Sequence, residues 1–293
     1  MKVYPVLLFS LVLAGCSANI VRTVPVLELG EATEASLTQR YNDTRVNCGA
    51  SSQPAFLCSG VIMRGTNFST TYHSWDNSLN SHQSGGVSFS YLRKDSRYRK
   101  LAYGYDNGYL FLPVLYAGNK LTPEILCAFP IDAFTVERDS KGCGSSPGFD
   151  QSGPCQDQNI HTPDAWYIHY QAGAHNRQHQ CGFDVRDSLN ADATIAFDAA
   201  IKAMALLGSE SFNTQNEIRL AVWPDGSGQV LPLEAFFYVN DSAAGRKDAQ
   251  DDQLDFKNTT GLTVPVISLH LPNTTAEHAT FKYLVSDQII PVP

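Results

Sequence analysis

Between Gly60 and Leu92 the chain reads G-V-I-M-R-G-T-N-F-S-T-T-Y-H-S-W-D and, further on, S-G-G-V-S-F-S-Y-L. This pattern predicts two short strands bracketing a long polar turn. In the second strand Val87, Phe89 and Tyr91 alternate with Ser88 and Ser90, so the apolar residues share one face and the serines the other. A second alternation follows downstream: Ile218, Leu220 and Val222 face one way, Glu217 and Arg219 the other. Glu124–Pro130 and Leu233–Val239 read as further strands, and Val264–His270 and Thr280–Val285 as closing strands. Asn107-Gly108 signals a hairpin turn.

Three stretches carry helical signals. Ala32–Tyr41 has helix-forming composition, with Leu37 and Tyr41 four apart. Thr162-Pro163-Asp164 offers a capping hydroxyl, a proline at the first position and an acid near the positive dipole end. Ala193–Leu207 places Phe197, Ile201, Met204 and Ala205 on one stripe, with Asp192 as a cap and Gly208 as a stop. Asp139–Gln158, Ser209–Asn216 and Asn240–Asn258 read as polar loops, and the basic run Arg93–Arg99 as a solvated turn or a contact for phosphates. Separate runs of strands and helices predict an α+β fold with a mixed or antiparallel β core.

The first sixteen residues change the picture of what folds. Lys2, the apolar run Val3–Val12 and Leu13-Ala14-Gly15-Cys16 form a leader ending in a lipobox, too short to span a bilayer. The expected division is a leader at 1–16 lipidated on Cys16, a tether at 17–32 and one catalytic domain at 33–293. Two or more acyl chains on Cys16 would anchor the protein stably in a membrane. Ser17 after the cysteine points to the outer membrane; an exported or secreted protein is the expectation.

Six further cysteines remain: Cys48, Cys58, Cys127, Cys143, Cys155 and Cys181. In an oxidising compartment they predict three disulfides, with fifteen connectivities open. A Cys48–Cys58 bridge would pin the approach to the Arg64 strand. The hydrophobic fraction of 43% supports a real core, and the net charge of −8 argues against a general nucleic-acid-binding surface.

Candidate chemistry gathers at the two alternating strands. Arg64, at a strand end, can grip a phosphate bidentately, and Gly65 beside it allows close backbone approach. Arg64, then Ser88 and Ser90, then Gln215-Asn216-Glu217 resemble the arginine, serine and glutamate pattern of ADP-ribosyltransferases and related NAD glycohydrolases. The phrases P-A-F-L-C-S-G-V-I-M-R-G-T, Y-H-S-W-D, S-G-G-V-S-F-S-Y-L-R, L-C-A-F-P-I-D-A, Q-C-G-F-D-V and E-S-F-N-T-Q-N-E-I-R-L-A are similar to those of the halovibrins, secreted NAD-consuming bacterial proteins. The second strand reads S-F-S where transferases carry S-T-S, and the cysteine-rich segment would be a disulfide-braced insertion.

The resemblance implies an ADP-ribosyltransferase-like fold and NAD as substrate, with no further cofactor. Glu217 would stabilise the oxocarbenium-like ribose and bond its 2′-hydroxyl, with Glu210 or Glu234 as alternative acids. Arg64, Gly65, Ser88, Ser90 and Trp75 would contact the dinucleotide, and Gln215 would orient the acceptor. Water as acceptor gives glycohydrolysis; a host protein as acceptor gives ADP-ribosyl transfer.

Two other readings use different residues. His161, His169, His175 and His179 crowd together, and H-N-R-Q-H would put His175 and His179 on one helical face as metal ligands. A lipid-anchored adhesin or glycan-binding module would use Trp75, Trp166 and Trp223 as stacking platforms.

Overall fold

The computed structural model describes residues 29–49, 53–76, 85–111, 124–133, 142–143, 153–186, 191–221 and 233–290. The leader, Cys16, most of the tether and Trp223 lie outside the described residues. In chain order the elements are α1 (Leu29–Asn42), β1 (Val61–Thr66), β2 (Val87–Leu92), β3 (Asn107–Phe111), β4 (Glu124–Phe129), α2 (Pro163–Ala172), β5 (Phe183–Asp184), α3 (Ala191–Leu207), α4 (Ser209–Asn213), β6 (Glu217–Ala221), β7 (Leu233–Val239), α5 (Ala243–Thr260), β8 (Val266–His270) and β9 (Thr280–Tyr283). Helix α1 takes up the end of the stretch assigned to the tether.

The nine described strands form one mixed sheet in the order β5-β4-β6-β2-β1-β3-β7-β8-β9. Neighbours are antiparallel except β7 and β8, which are parallel because α5 carries the chain back between them. The expected α+β class, with a mixed sheet and packed helices, is what these elements form. Both sheet faces are covered. On one, Ile62, Phe89, Tyr109 and Phe236 pack with Trp166 of α2, Phe197 of α3 and Phe256 of α5. On the other, Met63, Leu92, Leu110 and Phe237 pack with Leu37 and Tyr41 of α1.

Local signals explain several boundaries. Thr162 accepts a hydrogen bond from the Ala165 amide at 3.2 Å and Pro163 opens α2, as its sequence predicts. Helix α3 ends at Gly208, whose φ is +58°. Asp192 lies inside its first turn rather than capping it.

Four expectations are overturned. Asn240–Asn258 is not a loop: Ser242 caps α5 by accepting from the Gly245 amide at 3.0 Å, and Gly245, Ala249, Asp252, Gln253 and Phe256 form its buried stripe. Two of those five are polar, which hid the helical period. Asn107-Gly108 is not a turn but the start of β3. Ser209–Asn213 is the short helix α4. Arg93 is not solvated: its guanidinium is buried and donates to Asp95, to the Arg45 carbonyl at 2.7 Å and to Ser59 Oγ at 3.2 Å.

All six cysteines pair, as Cys48–Cys58, Cys127–Cys143 and Cys155–Cys181. The first pins the approach to the Arg64 strand, one of the pairings the sequence left open. The other two separate the cysteine-rich segment into two ties, one to β4 and one to the segment before β5. Three disulfides fit a protein exported to an oxidising compartment.

Candidate active site

Three strands carry the predicted site residues, and they lie side by side as β6-β2-β1. The β2–β6 register pairs Ser88 with Arg219 and Phe89 with Ile218. Asn216 extends this pairing with its side chain, accepting from the Tyr91 amide at 2.7 Å and donating to the Tyr91 carbonyl at 2.8 Å. Those partners are 125 residues apart in sequence. Strand alternation therefore places Ser88, Ser90, Glu217 and Arg219 on one face, and Phe89, Ile218 and Leu220 on the other.

Arg64 belongs to the opposite row of its strand. It follows Ile62 and stands across from Tyr109 of β3, while Met63 pairs with Ser90. The β1–β2 ladder runs from Val61↔Leu92 to Met63↔Ser90 and is not continued to Arg64. Beyond that point β1 stays paired with β3 as far as Thr66, and β2 with β6 as far as Val87. The sheet thus splits between Arg64 and Ser88. Arg64 Nη1 bridges the split by donating to the Ser88 carbonyl at 2.6 Å. Its Nε is buried with no partner among the described residues, as is Thr66 Oγ1 in the same row.

Glu217 is 1% exposed. One carboxylate oxygen accepts from the Ala133 amide at 3.0 Å, the other from Arg219 Nη1 at 3.3 Å. Gln215 is also buried: its side-chain oxygen accepts from the Ala102 amide at 3.1 Å, and its carbonyl accepts from the Asp132 amide at 2.8 Å. Segment 131–133 therefore runs alongside 215–217. Asp132 faces Arg177 at 3.6 Å.

Tyr103 stands over this corner. It is 66% exposed and holds φ +57°, a left-handed conformation uncommon for a non-glycine residue and clustered at functional sites. Burial, then the negative charges of Asp132 and Glu217, raise its phenol above the usual value. Sequence reading missed Tyr103, Asp132 and Arg177. It read Arg219 only as the polar half of an alternation; that both faces of this strand are buried is seen only in the fold.

Several predicted residues serve packing. A Cβ on Gly65 would lie 2.9 Å from Tyr105 Cβ, so the close approach expected of a ligand is made by Tyr105. Ser90 is buried and bonds the Tyr98 hydroxyl at 2.7 Å. Trp75 is no open stacking platform: it is 3% exposed, donates to Asp255 at 2.9 Å, stacks on His73 and meets Phe256 edge-on. Trp166 is fully buried, its indole bonded to the Cys181 carbonyl. The alternative acids have partners elsewhere. Glu210 accepts from Tyr170 at 2.6 Å and meets His175 at 3.1 Å, and Glu234 pairs with Arg40.

The histidines do not share a helix. Helix α2 ends at Ala172, His175 has φ +56°, and His179 lies in a separate single turn. Among the described residues no group of three or more His, Cys, Asp or Glu side chains is arranged to hold a metal ion. No described helix is long and apolar enough to cross a membrane. No protein-family model matches the chain, and no curated protein matches it.

Proposed function

We propose that the protein hydrolyses NAD to nicotinamide and ADP-ribose at the split between β1 and β2, with ADP-ribosyl transfer to a protein as a second outcome of the same chemistry. One observation carries the reading. The arginine strand, the serine strand and the glutamate strand are consecutive neighbours in the sheet, and the ladder opens where the arginine and the first serine meet. The sequence resemblance to halovibrins and to the arginine, serine and glutamate pattern of ADP-ribosyltransferases supports the same reading. In this reading the protein is an exported lipoprotein that meets NAD, and any acceptor protein, outside the cytoplasm.

The chemistry follows from the charges. As the bond to nicotinamide stretches, its electron pair leaves with the neutral ring and positive charge builds on the ribose carbon. Glu217, with Arg219 fixing its carboxylate, supplies the opposing charge where that cation forms; preorganised groups of this kind are worth a few kcal/mol each. Hydrogen bonding to the ribose 2-hydroxyl adds to this as the sugar flattens. Arg64 stands in the opposite row from Glu217, so in this reading it holds the pyrophosphate across the open edge of the ladder, where its guanidinium already reaches the Ser88 carbonyl, and so orients the ribose. Because Glu217 is covered by segment 131–133, NAD must displace the Ala133 amide to reach it. Water then attacks the ribose carbon and releases its proton to solvent, or a protein side chain attacks in its place.

Nicotinamide release from NAD by the purified protein tests this. Glu217→Gln is expected to lower kcat by about 10²–10³-fold, and Arg64→Gln to act mainly on KM. A folded wild-type protein that leaves NAD intact ends the reading. Free ADP-ribose and labelled host protein, separated after incubation with lysate, distinguish the two acceptors.

A further inference from the structure

We infer that Arg219 is a positioning residue for this site, acting through Glu217 and through the Gly85-Gly86 turn; the inference rests on the NAD-hydrolysing reading above. Arg219 and Glu217 are two apart on β6, with side chains 6% and 1% exposed. A buried ion pair is weak evidence for stability, since well-packed apolar residues in its place are often neutral or stabilising. What a guanidinium adds is a rigid plane of donors. Among the described residues that plane joins one acceptor on its own strand and two in a segment 133 and 134 residues away. Nη1 donates to Glu217 Oε1 at 3.3 Å, Nε to the Gly85 carbonyl at 3.0 Å and Nη2 to the Gly86 carbonyl at 2.5 Å.

The turn it holds is unusual. Gly85 and Gly86 have φ +72° and +83°, two successive left-handed residues that only glycine adopts without strain. This turn delivers the chain directly into β2. Ser88 then stands across from Arg219 in register, and its carbonyl receives Arg64 Nη1 across the split. One guanidinium therefore fixes the carboxylate on one side and, through the turn, the strand edge that Arg64 grips on the other. A lysine at this position keeps the charge but is a point donor that cannot span the three acceptors.

The experiment compares Arg219→Lys and Arg219→Met with wild type and Glu217→Gln. Both Arg219 variants are expected to lower kcat for NAD hydrolysis by about 10²-fold and to raise KM as the edge gripped by Arg64 loosens, with Lys no better than a partial rescue. Adding Arg219→Met to Glu217→Gln should lower kcat by far less than the roughly 10²-fold it costs in wild type, because the arginine's effect on kcat passes through the acid, whereas its effect on KM through the turn should persist. Amide exchange at Val87 and Ser88 in Arg219→Met should accelerate by about 10-fold or more, as the turn loses its anchor. A folded Arg219→Met protein with wild-type kcat overturns the inference, as do additive losses in the double variant. If wild type itself leaves NAD intact, the functional reading falls. The exchange measurement then still decides the anchoring: unchanged protection at residues 87 and 88 would remove that as well.

Discussion

Gly108 shows how a single residue sets the site's backbone. It stands across from Gly65 in the β1–β3 ladder, and a Cβ there would sit 1.9 Å from the Arg64 carbonyl oxygen. The obstacle is backbone, so nothing swings aside. Gly108→Ala is expected to cost about 1–3 kcal/mol or more by forcing β1 away from β3 at Arg64. Gly173→Ala is the control, since its Cβ would find its nearest neighbour at 3.5 Å, an ordinary contact. Urea unfolding measures both, and equal effects would refute the argument. At this scale sequence reading picked out Arg64, Ser88 and Glu217, which stand on neighbouring strands, but misjudged Trp75 and Gly65. The difference is physical. Residue type says what chemistry a side chain can do, whereas exposure depends on which distant segment packs over it, here Asp255 and Phe256 on Trp75 and Tyr105 on Gly65.

Helix α5 carries a buried carboxyl that makes stability depend on pH. Its Asp252 is 1% exposed, accepts from Ser74 Oγ at 2.5 Å and keeps its second oxygen buried without a partner among the described residues. Burial first, then the neighbouring negative charges of Asp255, Asp248 and Asp251, push its carboxyl up to about 7, against the lowering pull of the Ser74 hydroxyl. The folded pKa lies above the unfolded value of 3.8, so the folded state holds this proton more tightly. This group therefore favours folding most below about pH 4. Its contribution declines as pH rises from there to about 7, and the penalty is complete above that. Asp252→Asn, which keeps an acceptor for Ser74, should flatten the slope and leave the protein more stable at pH 8, by at most a few kcal/mol. Urea midpoints measured from pH 4 to 8 check this; the same slope in both proteins would contradict it. The same element shows why one helix was not legible in the sequence. Asp252 and Gln253 occupy core positions, bonded to Ser74 and to the Val264 carbonyl, and a stripe carrying such residues has no clear apolar period.

Across the whole molecule, disulfides tie the segments that carry the sheet's outer edge and its approach to β1. Cys155–Cys181 closes a separation of 26 residues and Cys48–Cys58 one of 10. Replacing both cysteines of a pair by alanine should cost about 2–5 kcal/mol, with the longer loop costing more by somewhat under 1 kcal/mol in the chain-entropy account. Thermal unfolding should show the Cys155–Cys181 variant melting about 5–15 °C below wild type. An unchanged melting temperature would mean the bridge constrains nothing. By itself the sequence determined the strands with strict alternation, the capped helix α2, the apolar stripe of α3 and the residue types at the candidate site, because those depend on local periodicity and side-chain chemistry. Only the tertiary structure decided which strands are neighbours, where the β1–β2 ladder opens, which cysteines pair and that Arg219 clasps Glu217. These are contacts between residues far apart along the chain, or between side chains whose burial such contacts create, and no local pattern encodes their meeting.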